Sequence, residues 1–363
     1  MHVAMYIGSL TKGGAERVMV NLAKDLLAHG DEVTFVTTFL EEDEFPVPEG
    51  ARRVISGLTE DEMTWGRVRN IARRRNKLRD IWKDLDPDLI LSFIGKNNVM
   101  AIQTARGLSI PVVVSVRGNP SQEYENAALR FAMRATFPYA DGVIVQTEGA
   151  KNYFSEIVKK KCTVLKNPVA QEFLSQPLSR ARKKEMVVVG RIDDNKNQIL
   201  AVKAFAQTFA AFPDWKMTLY GEGEGSFRIE NLIRDLGQAS RICLAGNVED
   251  VAQRIKDASI YVLPSREEGM PNALLEAMAL GLACISTDCP VGAAREILQE
   301  GRRGFLVPVD NVDGMRGAMI RLMGDEALRK ELGEAALAVR NEYEPGAVCS
   351  AWRDYFKEVT GAI

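Results

Sequence analysis

Residues Ile260 to Gly281 read I-Y-V-L-P-S-R-E-E-G-M-P-N-A-L-L-E-A-M-A-L-G. Ile260 to Leu263 suit a buried strand. Pro264 to Gly269 make a polar turn, and a helix is expected from about Pro271, because proline at a first helical position has no N–H to lose. Leu274, Leu275, Met278 and Leu280 continue it, and Gly281 suits the position just past its end. Strand, turn and helix in this order make a βα unit. The free amides and positive dipole end of such a helix favour an anion.

Glu268 lies in the turn before that helix and Glu276 inside it, on the order of 7 Å along the axis. Carboxylates repel phosphate. With a phosphate at the helix start, the two acids are expected to face neutral hydroxyls, and the sugar and ribose of a nucleotide-sugar offer those on either side of a pyrophosphate. An ordinary βα unit with solvated acids would show the same spacing. The run E-G-M-P-N-A-L-L-E, with Gly269, Pro271 and Leu274 between the acids, resembles the signature of retaining glycosyltransferases of family 4. The resemblance implies an α/β chain of GT-B fold, two doubly wound Rossmann-like domains facing a cleft. It further implies that Glu268 holds donor-sugar hydroxyls, that Glu276 holds ribose hydroxyls, and that Gly269, Met270, Pro271, Asn272 and Leu274 belong to the donor site.

A chain of 363 residues is long for one core, which favours two domains. With 46% hydrophobic and 26% charged residues the composition is that of a globular protein, and a net charge of −2 gives no global attraction to nucleic acid. Five cysteines without a C-x-x-C pair argue against a disulfide scaffold or zinc site, and two histidines argue against His-based triads. His29, before Gly30, reads as a helix-end cap. No stretch reaches the roughly 20 apolar residues that span a bilayer, and the N-terminus opens on a strand rather than a signal peptide. The expected location is the cytoplasm, peripheral on the inner face of the cytoplasmic membrane.

In the first half, strands are expected at His2–Ile7, Val33–Thr37, Leu89–Ile94, Val112–Val116 and Gly142–Val145, with a helix over Ala15–Ala28. This alternation predicts a parallel sheet. Gly13 and Gly14, in G-G-A-E-R, let backbone amides approach a phosphate or sugar; the stretch lacks G-x-G-x-x-G and resembles the family's first loop, which implies a donor contact. From Arg67 to Arg79 stand seven basic residues (Arg67, Arg69, Arg73, Arg74, Arg75, Lys77, Arg79) and no acid, with Val68, Ile71, Ala72, Leu78, Ile81 and Trp82 as the apolar side. This basic amphipathic helix is expected to dock on the sheet and to offer Arg73, Arg74, Arg75 and Lys77 to anionic lipid or a lipid-linked pyrophosphate. Arg117 and Asn119, in S-V-R-G-N-P after a strand, and Lys96 after another, sit where parallel sheets bind ligands and are candidate acceptor contacts. Relatives carry His where Arg117 stands. Asp86-Pro87-Asp88 reads as a turn rather than a metal site.

The Asn167–Pro168 pair and the basic run Ser175 to Lys184 read as the linker. The expected domains are 1–170, acceptor-binding, with a C-terminal helix 346–363 packing back onto it, and 171–345, nucleotide-sugar-binding. In the second half, Met186–Gly190 is a strand ending at R-I-D-D-N-K, and a helix is expected over Asn197–Phe212. The resemblance gives Arg191 and Lys196 the task of neutralising the leaving pyrophosphate, which fixed cations do best; with Glu268 they form the expected catalytic set. Asn247 and Val248, after the strand Ile242–Leu244, are implied to meet the nucleobase edge. One polar helix is expected over Asp325–Tyr343.

The resulting expectation is a UDP-sugar-dependent hexosyl- or N-acetylhexosaminyltransferase. It needs no cofactor and no metal, and its acceptor is a polyprenyl-pyrophosphate-linked saccharide. A UDP-sugar epimerase of the same fold and a membrane-attached nucleotide-sugar binding protein are the alternatives.

Overall fold

The computed structural model describes residues 1–63 and 66–361, without the side chains of Arg67 and Val68; those two side chains and Thr64 therefore lie outside the described residues. The chain divides into two compact units, Met1–Asn167 with Gly346–Ile363, and Pro168–Pro345.

In the first unit, β1 (His2–Ile7), β2 (Glu32–Thr37), β3 (Arg52–Ile55), β4 (Leu89–Phe93), β5 (Val112–Ser115), β6 (Gly142–Val145) and β7 (Cys162–Val164) form a parallel sheet in the order β3-β2-β1-β4-β5-β6-β7. The strands β4, β5 and β6 are buried along their whole length, as parallel strands covered on both faces must be. The helix Gly14–Ala28 buries Val18, Met19, Leu22 and Leu26 against one face. The C-terminal helix Pro345–Thr360 packs into the same core through Trp352 and Phe356, with Trp352 5.9 Å from Phe93 between ring centroids.

In the second unit, β8 (Lys183–Val189), β9 (Lys216–Tyr220), β10 (Ile242–Gly246), β11 (Ala258–Leu263), β12 (Ala283–Thr287) and β13 (Phe305–Val307) form a second parallel sheet, ordered β10-β9-β8-β11-β12-β13. Each sheet is doubly wound, with the strand order reversing beside β1 and beside β8. Such reversals place ligands beyond the carboxyl ends of the strands. Beyond β8 and β9 the backbone stays tightly packed: Ile192 N–H donates to Glu222 O at 2.9 Å, and a Cβ on Gly223 would lie 2.2 Å from Ile192 O. The glycines of G-E-G-E-G thus buttress the Arg191 loop.

Several expectations need correction. Ser175 to Lys184 is not a linker. The division falls at Asn167–Pro168, and Arg182 is built into the second unit, donating to Lys256 O, Ala258 O, Leu280 O and Gly281 O at 2.6 to 3.1 Å. The helix expected over Asn197–Phe212 spans Gln198–Ala206, and that over Asp325–Tyr343 is two, Glu326–Ala336 and Val339–Glu342. Pro271 is the N-cap of Asn272–Ala279 rather than its first residue. His29 does cap its helix, Nδ1 lying 2.8 Å from Asp25 O.

Candidate functional site

At the carboxyl end of β11 the chain turns through Pro264–Gly269 into the helix Asn272–Ala279. Pro271, at the N-cap, carries no side-chain acceptor and makes no cap hydrogen bond to this helix start. Asn272 and Ala273 are half-buried, whereas everything from Leu274 to Leu280 is buried. Leu274 is fully core, and its amide donates to Pro271 O at 3.0 Å, so this residue of the expected donor set has neither a side chain nor an amide to offer. Met270 also packs into the core, through its side chain. At the far end the helix is closed by Gly281 at φ +70°, a left-handed position suited to glycine, and by the Arg182 and Arg340 guanidiniums on its last carbonyls. Two cations at this end reinforce the helix dipole, whose positive pole is at Asn272.

Glu268 is 9% exposed and Glu276 6% exposed. Carboxylates this buried require partners. Glu268 Oε1 accepts from Lys196 Nζ at 2.7 Å and from Ser265 Oγ at 2.6 Å. The loop after β8 is zipped onto the turn before the helix: Asn195 Nδ2 donates to Glu267 O, Glu267 N–H donates to Asn195 Oδ1, both at 3.0 Å, and Arg266 N–H donates to Asn195 O at 2.8 Å. This pairing brings Lys196 and Glu268 together across 72 residues. Lys196 is also fixed from its backbone, donating N–H to Asp193 Oδ1 at 2.7 Å. Burial pushes the Asp193 carboxyl up, but the Lys196 amide and the Arg191 guanidinium outweigh it and hold Asp193 below the usual carboxylate range. Arg191 itself is exposed and bonds Asp193 at 2.7 Å. The phenol of Tyr261 lies in the core beneath, pushed well above 10 by burial and then by Glu268. Asn247 is exposed and its amide donates to Glu222 Oε1 at 3.3 Å; Val248 is half-buried.

In the first unit the expected residues part ways. Gly13 is the N-cap of Gly14–Ala28. A Cβ there would lie 2.3 Å from Glu16 Oε2, so the helix start already holds its own carboxylate. Burial raises the Glu16 carboxyl above the usual range. Arg117 lies over the Phe93 ring at 4.7 Å and bonds the Asn167 side chain. Burial lowers it to about 10, while Glu123 and Glu16 support its charge. Asn119 is buried and caps the short helix Pro120–Glu123, accepting from Ser121 N–H at 3.1 Å. Lys96 is exposed. In the helix Arg67–Leu85, Arg69, Arg73, Arg74 and Arg75 are exposed, but Lys77 turns inward onto Gly57 O and Glu62 Oε2, both at 2.7 Å, and Arg79 onto Thr104 O at 2.7 Å. Ile71 and Ala72, expected on the docked side, are exposed as well; among the described side chains of this helix, Leu78 and Trp82 are the ones buried in the core.

Among the described residues no helix is long and apolar enough to cross a membrane, and no group of three or more His, Cys, Asp or Glu side chains could hold a metal ion.

Two family models match the chain: "Glycosyltransferase Family 4" over residues 12–173 and "Glycosyl transferases group 1" over 170–339. The chain is a glycosyltransferase carrying both of these domains. Among relatives, the glycosyltransferase is 24% identical over 363 residues, the full length of both chains, to a Campylobacter jejuni GalNAc-α-(1→4)-GalNAc-α-(1→3)-diNAcBac-PP-undecaprenol α-1,4-N-acetyl-D-galactosaminyltransferase. It is 30% identical over 252 residues to an exopolysaccharide phosphotransferase of Streptomyces coelicolor, a match spanning 68% of this chain and 26% of that one. Anabaena HepE, solved in complex with UDP, superposes with a TM-score of 0.82 at 16% identity, covering 99% of this chain and 100% of that one, which establishes the GT-B fold.

Asn195, Ser265 and Asn197, whose Nδ2 donates to Asp310 Oδ1 at 2.9 Å, are the parts of the candidate site that sequence reasoning passed over. Four of the five cysteines are buried. Burial pushes Cys289 up to about 12 and Cys284 higher still, and it pushes Cys162 to about 11. Cys349 is buried and Cys243 exposed. At pH 8 Ellman's reagent should therefore titrate one thiol rapidly in the native glycosyltransferase and the other four only on unfolding. A Cys243→Ser variant should lose the rapid phase; two or more rapid thiols in wild type would contradict the packing around Cys289.

Proposed function

We propose that the enzyme transfers a hexose or N-acetylhexosamine from a UDP-sugar to a hydroxyl of a polyprenyl-pyrophosphate-linked saccharide, with retention of anomeric configuration. The observation that carries this reading is the start of Asn272–Ala279, with a proline at its N-cap and two buried carboxylates on its flanks, one of them paired to Lys196. In the reading, the diphosphate sits on the helix start with Arg191 and Lys196 opposing its charge, Glu268 takes donor-sugar hydroxyls and Glu276 takes the ribose hydroxyls. The bond from the anomeric carbon to the β-phosphate oxygen breaks, the bond to the acceptor oxygen forms on the same face, and the acceptor proton passes to the departing phosphate. The built-in cations stand in for a metal. UDP in the HepE complex and the undecaprenol diphosphate in the Campylobacter relative's name support the donor and acceptor classes.

Glu276→Ala should weaken UDP binding by about 10- to 100-fold, the worth of charge-assisted hydrogen bonds, as measured by calorimetry. Equal affinity for wild type and variant would remove the ribose assignment. Incubating the enzyme with each UDP-sugar, with and without lipid-pyrophosphate saccharide, tests the reaction: UDP release that depends on acceptor, and an α-linked product by NMR from an α-linked donor, are expected.

The reading places the enzyme against anionic lipid on the inner face of the cytoplasmic membrane. Arg69, Arg73, Arg74, Arg75 and Ile71, exposed on one helix, suit that contact. At about 1 kcal/mol per basic residue, changing Arg73, Arg74 and Arg75 to Gln should lower partitioning onto anionic vesicles by about 100-fold. Unchanged sedimentation with phosphatidylglycerol vesicles would rule out this tether.

A further inference from the structure

We infer that Ser265 is a positioning residue that decides how Glu268 meets the donor sugar. The inference rests on the assignment of Glu268 above and adds the device that aims it. Ser265 is fully buried at the end of β11, and its Oγ donates to Glu268 Oε1 at 2.6 Å. The same oxygen receives Lys196 at 2.7 Å. With Oε1 held by two donors, Oε2 is the oxygen presented to a sugar hydroxyl.

The hydroxyl can act as a clamp only if its own backbone is held. Ser265 O accepts from Thr287 Oγ1 at 2.5 Å and from Cys289 Sγ at 3.2 Å, both at the end of the neighbouring strand β12. Thr287 is fully buried, and its Oγ1 also lies 3.2 Å from Leu263 O. The path therefore runs from β12 through the Ser265 carbonyl to its hydroxyl and on to the Glu268 carboxylate. Every donor in it is a neutral group inside the core, where a well-made hydrogen bond fixes geometry most strictly. Lys196 cannot substitute for this clamp, since it reaches Glu268 from the loop after β8 on a flexible stem. Of the two donors on Oε1, the Ser265 hydroxyl is the stiff one. Its removal frees the carboxylate to rotate about its terminal torsion, a broad well with little restraint of its own.

The consequence falls on sugar discrimination and turnover rather than on nucleotide binding. Ser265→Ala should lower kcat about tenfold, leave the Kd for UDP within about twofold, and shrink the preference between UDP-sugars epimeric at one hydroxyl by about fivefold. Thr287→Val, which keeps the volume and removes the hydroxyl, should give the same pattern at about threefold. It carries the test if the alanine variant does not fold. Ser265→Thr, which retains a hydroxyl, should restore part of the preference. Thermal melting and UDP calorimetry run alongside separate a merely structural role: kcat, UDP affinity and melting temperature falling together would overturn the inference. So would wild-type turnover and sugar preference in both Ser265→Ala and Thr287→Val. Glu268→Gln is the control. If it alone abolishes turnover while the Ser265 and Thr287 variants behave as wild type, the clamp fails and the Glu268 assignment stands. If Glu268→Gln is itself wild type in turnover and preference, both fall.

Discussion

Glu268→Gln should lower turnover by on the order of 100- to 1,000-fold while UDP affinity stays within about threefold. The substitution keeps the side-chain volume in a nearly closed site and removes its charge. Lys196 loses an anionic partner at 2.7 Å, and the bond from Ser265 weakens from a charge-assisted one to a neutral one. Neither change touches the start of Asn272–Ala279 or Glu276, and Lys196 keeps the charge that opposes the diphosphate, so UDP affinity is expected to hold. The effect belongs in kcat because a group serving the sugar during bond cleavage matters more in the transition state than in the bound nucleotide. Steady-state kinetics with calorimetry separates the two. A variant that loses UDP binding and turnover in equal measure would make Glu268 a part of the nucleotide site instead.

The second large effect concerns stability. Arg182→Met should destabilise the protein by about 2–4 kcal/mol, because one partly buried guanidinium donates to four backbone carbonyls, those of Lys256, Ala258, Leu280 and Gly281. Two of these close the helix Asn272–Ala279, and methionine offers them no donor. Arg180→Met, two residues earlier and exposed, should stay within about 0.5 kcal/mol. Urea unfolding of the full chain, followed by tryptophan fluorescence with and without UDP, measures both. Equal midpoints for the two variants would restore the reading of this segment as a linker.

Arg182 also shows where reading a sequence runs out. Its partners lie 74 to 99 residues away, so nothing local distinguishes it from the basic residues around it. The same holds for Asn195, which acts on Glu267 across 72 residues. By contrast, the central strands were legible, because a parallel strand buried on both faces must be a short apolar run. The edge strand β3 (Arg52–Ile55) was not, since R-R-V-I is half-exposed and carries two arginines. The capping role of Asn119 was passed over although its signal was present: Asn before Pro is a helix N-cap followed by a first-turn proline. The basic run of Arg67–Leu85 showed its charge but not its direction. Whether Lys77 faces out depends on the loop carrying Gly57 and Glu62, which helical periodicity does not see. The turn before Asn272–Ala279 was the most legible part of the site, because strand, turn, acid and helix start are contiguous there. Ser265, three residues before Glu268, shares that turn and escaped notice only because serine is common in turns.

The most direct test of the account is a crystal structure with UDP bound. The account predicts the diphosphate against the backbone of Gly269–Ala273, with the ribose hydroxyls on the Glu276 carboxylate. UDP bound with its diphosphate away from that helix start would contradict it.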